Sequence, residues 1–141
     1  MSRELIASYY RAFNARDYPA MLELLAEDIA HDVNQGPREL GKERFERFLQ
    51  RMDECYREEL VDLVIMADAS HTRFAAEFTV LGSYLKADAG LPEARGQGYK
   101  LPAGAFLTVK DGQITRVTTY YNLSDWLAQV SLEGASVRGG T

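Results

Sequence analysis

The chain has 141 residues, of which 46% are hydrophobic and 26% are charged, and its formal net charge is -5. This length fits one globular domain with a single core, which we place at residues 1–131, followed by a mobile tail at 132–141. An acidic chain without local basic clusters is poorly suited to nucleic acid. Its single cysteine, Cys55, excludes an internal disulfide, and its N-terminus lacks the apolar run of a signal peptide or membrane span. We therefore expect a cytoplasmic protein with no nucleic-acid or membrane partner.

The first part of the chain predicts two helices separated by a tight break. Apolar residues at three- and four-residue steps, including Tyr9 and Phe13, form one stripe of the first helix. Asp17 is suited to cap the second helix, and Pro19 fits only its first turn. We expect the apolar side of this second helix to continue to Leu25.

A short strand and a third helix follow. The strand, Asp28 to Val33, carries His31 and Asp32, and the loop after it begins at Asn34. A polar cluster at this point either ends the strand in solvent or lines a pocket, because burying such groups unpaired is costly. Gly41 or the residues just before it should open the third helix, whose helical spacing of apolar residues extends to Tyr56.

The second half of the chain predicts antiparallel strands and a small closing helix. An exposed loop from Asp88 to Gly98 stands between the strands, and whether it closes over a pocket is left open. The expected strands cover residues 60–67, 76–80, 99–109 and 114–122, with turns at 68–71 and 110–113. This order predicts an α+β fold: three N-terminal helices packed on a strongly curved antiparallel sheet, a cone whose wide end is a cavity, and a short C-terminal helix.

Several segments together resemble one known family. They are YYRAFNARD followed by a Leu-rich helix, E-D-x-x-H-D, Gly41, and the run LPAGAFLTVKDGQITRVTTYYNLSDWLAQV. The chain resembles the nuclear-transport-factor-2-like superfamily, and within it most of all the ketosteroid-isomerase-related and SnoaL-like polyketide cyclase group. The resemblance covers about residues 2–130 and implies a fold that hosts isomerases, cyclases, dehydratases, hydrolases and non-catalytic binders.

The resemblance also implies roles for individual residues. Tyr9 stands where ketosteroid isomerases carry a tyrosine that donates a hydrogen bond to the steroid oxyanion. The isomerase base falls on Val33 when counted without gaps and on Asp32 after a one-residue shift. No carboxylate stands at 103–106, where the isomerases have a protonated aspartate. Asn122 occupies the place of an acid/base aspartate of the polyketide cyclases.

The residues themselves suggest further candidates. His31 is the only imidazole near the proposed cavity mouth and is the natural base near neutral pH. Because adjacent strand residues face opposite ways, His31 and Asp32 cannot both face inward unless a bulge intervenes. Tyr120 and Asn122 share a strand face and are candidates to orient a carbonyl or hydroxyl, although Asn122 is also suited to cap the last helix. Trp126 closes either the cavity or the core.

These observations predict a cofactor-independent enzyme of the isomerase or cyclase type. It would bind a small hydrophobic, carbonyl-bearing ligand and abstract a proton next to the carbonyl, with His31 or Asp32 as base and with Phe13 and Trp126 against the substrate. One alternative is a non-catalytic ligand-binding or dimeric interaction module of the same fold. A hydrolase or dehydratase is a weaker alternative, which needs an acid and a base in one cavity. We expect no metal site, since His71 lies in a turn and does not pair with His31.

The outer face of the sheet is the expected site of homodimer formation. We place Glu77 there by strand alternation and expect Phe74 and Leu81 to share its face. Apolar side chains on a convex sheet face are typical of a contact between two copies of a chain.

Overall fold

The structure, a computed structural model, describes residues 2–33 and 35–131. Asn34 and the predicted tail at 132–141 lie outside the described residues. The elements in chain order are α1 Ser2–Ala15, α2 Tyr18–Glu23, β1 Leu25–Val33, β2 Glu39–Leu40, α3 Lys42–Cys55, β3 Tyr56–Ala67, β4 Arg73–Tyr84, β5 Gln97–Lys110, β6 Gln113–Tyr121 and α4 Leu123–Val130.

The strands form one curved, open sheet in the order β2-β1-β6-β5-β4-β3. The predicted α+β class, with three N-terminal helices packed on a curved sheet and a short helix after it, is confirmed. One strand pair differs from the prediction, because β1 lies parallel to β6, with His31 beside Val117. Parallel neighbours need a long crossover connection, and here α3 and strands β3 to β5 provide it.

The boundaries of some elements differ from the sequence prediction. Helix α2 ends at Glu23, so the fully buried Leu25 belongs to β1 and not to the helix. Tyr56 likewise begins β3 and does not continue α3. Gly41 precedes α3 as predicted, and its φ of 103° is a conformation that favours glycine. Asp17 caps α2 as predicted, since its side chain accepts a hydrogen bond from the backbone N–H of Ala20.

The core lies between the helices and one face of the sheet. On β4 the side chains of Ala76 and Phe78 are buried, as the alternation predicts. Phe74 corrects the prediction for the outer face: it has the same parity as Ala76, is 3% exposed and packs in the core instead of beside Glu77. Leu81 has the opposite parity and is partly exposed.

Irregularities in β3 and β6 change which strand residues face the core. Asp62 adopts a φ of 55° where the pairing of β3 with β4 shifts its register. This bulge puts Glu58 on the inner face before it and Ile65 on the inner face after it. A second register shift, between β5 and β6, leaves Thr115 as an extra residue in β6. Each bulge therefore reverses the alternation that a regular strand would show.

Candidate functional site

A cavity of about 480 Å³ lies between the helices and the inner face of the sheet. Helices α1, α3 and α4 and strands β1, β3, β4, β5 and β6 all contribute side chains to its wall, which is largely apolar and aromatic. Its volume is in the range of pockets that enclose small organic molecules. The few polar groups that reach this wall therefore define what the cavity can do.

His31 is buried and lies on the cavity wall. The ring centroids of Phe45 and Phe48, both on α3, are each 4.5 Å from the centroid of the imidazole. Burial among these rings lowers the pKa of His31 to about 4, against the opposite effect of the carboxylates of Glu39 and Asp32. The imidazole is therefore neutral near pH 7, and within the described part of the chain neither ring nitrogen has a hydrogen-bond partner.

Asp32 faces away from the cavity, which corrects its candidacy as a base inside it. Its carboxylate accepts two hydrogen bonds from Arg38, at 2.7 and 2.9 Å, and one from the Thr118 hydroxyl at 2.6 Å. These donors hold the pKa of Asp32 at about 2. Strand alternation explains the difference, because His31 faces inward and its neighbour must then face outward.

Three other predicted residues do reach the cavity wall: Tyr9, Phe13 and Trp126. The Tyr9 ring stands edge-on to Tyr10 with centroids 5.0 Å apart, and the side chain is only 5% exposed. Burial raises the pKa of Tyr9 well above its ordinary value, so its hydroxyl keeps its proton. Among the described residues, nothing accepts or donates a hydrogen bond at this hydroxyl.

Tyr120 and Asn122 do not reach the cavity, contrary to the prediction. Tyr120 is 49% exposed on the outer face, where its ring centroid is 5.9 Å from that of Phe106. Asn122 caps α4, and its side chain accepts a hydrogen bond from the backbone N–H of Asp125 at 3.0 Å. The extra residue in β6 shifts the alternation, so that Tyr121 takes the inward position instead.

A partly buried carboxyl that the sequence analysis missed also faces the cavity. Glu58 lies on β3, and the Tyr99 hydroxyl donates a hydrogen bond to its Oε2 at 2.6 Å. Burial raises the pKa of Glu58, while this hydrogen bond lowers it. Glu58 has the same parity as the buried Leu60. That alternation would have revealed Glu58 if the strand had been predicted to begin at Tyr56.

The loop before β5 is tied to the cavity wall by Asp88. The Tyr56 hydroxyl donates a hydrogen bond to Asp88 at 2.8 Å, and the Arg51 guanidinium forms an ion pair with it at 3.5 Å. The backbone N–H of Asp88 donates to the hydroxyl of Tyr84 at 3.0 Å. Asp88 and Leu91 both line the cavity, so this loop forms part of its wall.

The site therefore brings His31 and Glu58 together with the hydroxyl of Tyr9 in a largely apolar enclosure, to which the carboxylates of Glu39 and Asp88 also belong. Such groups can accept a proton from carbon and donate hydrogen bonds to an oxygen that becomes negative. Nowhere in residues 2–33 and 35–131 are three or more His, Cys, Asp or Glu side chains grouped so that they could hold a metal ion. No helix in the same residues is long and apolar enough to cross a membrane.

An open, curved sheet with helices enclosing an apolar cavity defines the nuclear-transport-factor-2-like cone. The model of the SnoaL-like domain family matches residues 6–117, and the chain belongs to this family.

Solved structures show the same relationship. A candidate polyketide cyclase from Xanthomonas campestris pv. campestris is 58% identical over 92% of this chain and 96% of its own, with a TM-score of 0.89. A second candidate polyketide cyclase, from Pseudomonas putida KT2440, is 56% identical over 93% of this chain and 98% of its own, with a TM-score of 0.92. An LEH-like epoxide hydrolase of M. tuberculosis shares the fold alone. It is 19% identical over 94% of this chain and 86% of its own, with a TM-score of 0.73. The search of curated proteins gave no match.

Proposed function

We propose that this protein transfers a proton next to the carbonyl group of a small hydrophobic molecule bound in the cavity. The family and the fold support a small-molecule cyclase or isomerase at this general level. The observation that carries the specific proposal is His31, a neutral imidazole on the wall of an apolar cavity without a hydrogen-bond partner in the described residues. This imidazole carries no proton near pH 7 and can accept one from a ligand, while burial also makes it a weaker base than a free histidine.

Tyr9 supplies the complementary group. Its buried hydroxyl keeps its proton and has no partner in the described residues, so it is available to donate a hydrogen bond to the carbonyl oxygen of the ligand. This bond strengthens as the oxygen becomes negative, when the proton on the adjacent carbon moves to His31. Phe13 and Trp126 contribute apolar surface that holds the ligand and excludes water.

Hydrogen–deuterium exchange tests this proposal without knowledge of the natural substrate. A bicyclic ketone such as 2-tetralone is incubated with the protein in D₂O, and the loss of the proton signal next to the carbonyl is followed by NMR. We expect His31→Gln to slow the protein-catalysed exchange by about 100-fold or more, and Tyr9→Phe to slow it as well. The control is His71→Gln, since His71 is exposed in the turn between β3 and β4 and does not line the cavity. Exchange that is unchanged in His31→Gln would contradict the proposal.

Ligand binding without catalysis is the second candidate function. It is favoured by the residues at the positions that carry catalytic carboxylates in related enzymes: Val33 and Ala103 line the cavity without a titratable group, and Asn122 caps a helix. Saturable binding of several ketones, with no exchange at any of them, would support this candidate over proton transfer. A cytoplasmic location stays a prediction under either function.

We also propose that two copies of the chain pair through the outer face of the sheet. Val64, Met66, Phe106 and Tyr120 are each at least 45% exposed. Strand register places Met66 and Phe106 on either side of Ala75, so these apolar side chains form one patch across neighbouring strands. An exposed apolar patch on a small protein is typical of an interface. Light scattering is expected to give the mass of a dimer, and a monomeric mass would exclude this pairing.

A further inference from the structure

Glu58 brings a carboxyl into the cavity without a cation to balance it. The side chain lies on β3 before the Asp62 bulge and lines the same cavity as His31. Across the described residues no lysine or arginine forms an ion pair with Glu58, and the Tyr99 hydroxyl is its one hydrogen-bond donor. A carboxylate can accept about four hydrogen bonds, and an uncharged carboxyl accepts fewer but has one O–H to donate, so either form has capacity left for a ligand.

Neighbouring residues fix the position of the Tyr99 ring. Its ring lies directly over Gly82 on β4, where an added Cβ would come closer than 3.0 Å to the tyrosine. On the other side the Trp126 ring stands edge-on to it, with centroids 5.8 Å apart. The single hydroxyl proton of Tyr99 is donated to Oε2 of Glu58. One oxygen of Glu58 is therefore fixed by the protein, which orients the carboxyl within the cavity.

We propose that Glu58 binds a hydroxyl group of the ligand, so that the molecules taken up by this cavity are hydrophobic carbonyl compounds that also carry a hydroxyl group. This rests on the proposed function in taking the cavity as the ligand site and the ligand as a carbonyl compound, whereas the role of Glu58 itself does not depend on proton transfer. A hydroxyl fits better than an ammonium group, because burial raises the pKa of Glu58 and so favours its uncharged form. A carboxyl hydrogen-bonds to a hydroxyl in either protonation state, whereas only the carboxylate attracts a cation.

The positions of the strands add a condition on the shape of the ligand. His31 on β1 and Glu58 on β3 stand on strands that are separated by β6, β5 and β4. Four strand spacings correspond to roughly 19 Å along the sheet, and the curvature of the sheet shortens the direct path. A ligand that gives its carbonyl side to His31 and its hydroxyl to Glu58 therefore carries the two groups at opposite ends, as in a hydroxylated polycyclic ketone.

Two fluorescent probes of nearly equal size separate the contribution of the hydroxyl. 2-Naphthol has an O–H donor and 2-methoxynaphthalene does not, and the affinity of each is measured by fluorescence titration. We expect the wild-type protein to bind 2-naphthol about tenfold or more tightly than the methyl ether, as for a hydrogen bond to a partly buried carboxyl. Glu58→Met is expected to reduce this ratio to about 1. The matched control Glu59→Met changes the exposed neighbour of Glu58 and should keep the wild-type ratio.

A second measurement covers the case in which Glu58→Met does not fold. Excited 2-naphthol is a strong acid and emits as naphtholate when a carboxylate accepts its proton. At an alkaline pH at which Glu58 is ionised, we therefore expect naphtholate emission from the wild-type complex and its loss in Glu58→Gln. An affinity ratio that stays the same in Glu58→Met, or naphtholate emission that persists in Glu58→Gln, would overturn the proposal. So would Glu58-dependent binding of 2-naphthylmethylammonium that is tighter than that of 2-naphthol. The affinity ratio is measured without any turnover, so this result is independent of whether the protein transfers protons.

Discussion

Replacing His31 by glutamine is expected to remove a pH-dependent part of the stability of this protein. In the folded state the pKa of His31 is lowered to about 4 by burial, while its ordinary value is 6.5. Between these two values the unfolded chain binds a proton that the folded chain does not. Stability from this group is therefore complete above pH 6.5 and is lost as the pH falls towards 4.

The size of the effect follows from the two pKa values. They differ by about 2.5, and each pKa unit corresponds to about 1.36 kcal/mol. Relative to pH 7.5, His31 alone should lower the free energy of unfolding by about 2 kcal/mol at pH 5 and by about 3 kcal/mol at pH 4. A loss of this size is a considerable fraction of the stability of an ordinary domain.

Urea unfolding at pH 7.5 and pH 5 measures this contribution. The wild-type protein should lose about 2 kcal/mol more than His31→Gln between the two conditions, whereas His71→Gln should behave as the wild type does. Comparing the losses, and not the absolute stabilities, removes the cost of the substitution itself and the contribution of the carboxylates. The same loss in wild type and His31→Gln, or an NMR titration of His31 with a midpoint near 6.5, would refute the burial argument.

Three other substitutions test separate parts of the structure. Gly82→Ala should destabilise the fold and displace Tyr99, because the new methyl group would lie within 3.0 Å of that ring. The matched control is Gly98→Ala, since the nearest contact of a methyl group there is at 3.8 Å. Equal urea midpoints for the two variants would contradict this packing. Asp32→Ala should cost roughly 1–3 kcal/mol of stability, because the hydroxyl of the buried Thr118 loses its acceptor. Probe binding in the cavity should be kept, and lost binding in a folded variant would place Asp32 in the site after all. Phe106→Lys should convert the proposed dimer to a monomer in light scattering, and an unchanged dimer mass would move the interface elsewhere.

Local sequence patterns were sufficient to predict most elements of the fold. The cap at Asp17 and the turn at Asp111 and Gly112 depend on the chemistry of a few neighbouring residues, and the structure has both. The orientation of His31 relative to Asp32 follows from alternation in the part of β1 from Ala30 onwards, where its pairing with β6 is regular. These features need no knowledge of the rest of the chain, which is why the sequence predicts them.

The parts that were not predicted depend on long-range pairing. Thr115 is an extra residue in β6, and without it the alternation from Ile114 would point Tyr120 into the cavity in place of Tyr121. The contact of Glu58 with Tyr99 joins residues 41 positions apart and depends on the register of three strands. No local pattern in a single sequence indicates strongly enough where a strand bulges or which register two strands adopt.

The parallel pairing of β1 with β6 has a consequence for how the protein is made on the ribosome. Strand β1 is synthesised early. Apart from the two-residue β2, the strand that pairs with it is β6, at residues 113–121. Residues 34–112 therefore emerge from the ribosome between the two partners. At ordinary rates of translation this interval lasts roughly 4–16 s. During that time the apolar side chains of β1, Leu25 and Ile29 among them, have no sheet to complete. The wall that carries His31 therefore closes only when nearly the whole chain has left the ribosome, and a nascent chain that stalls before β6 exposes this strand to other proteins.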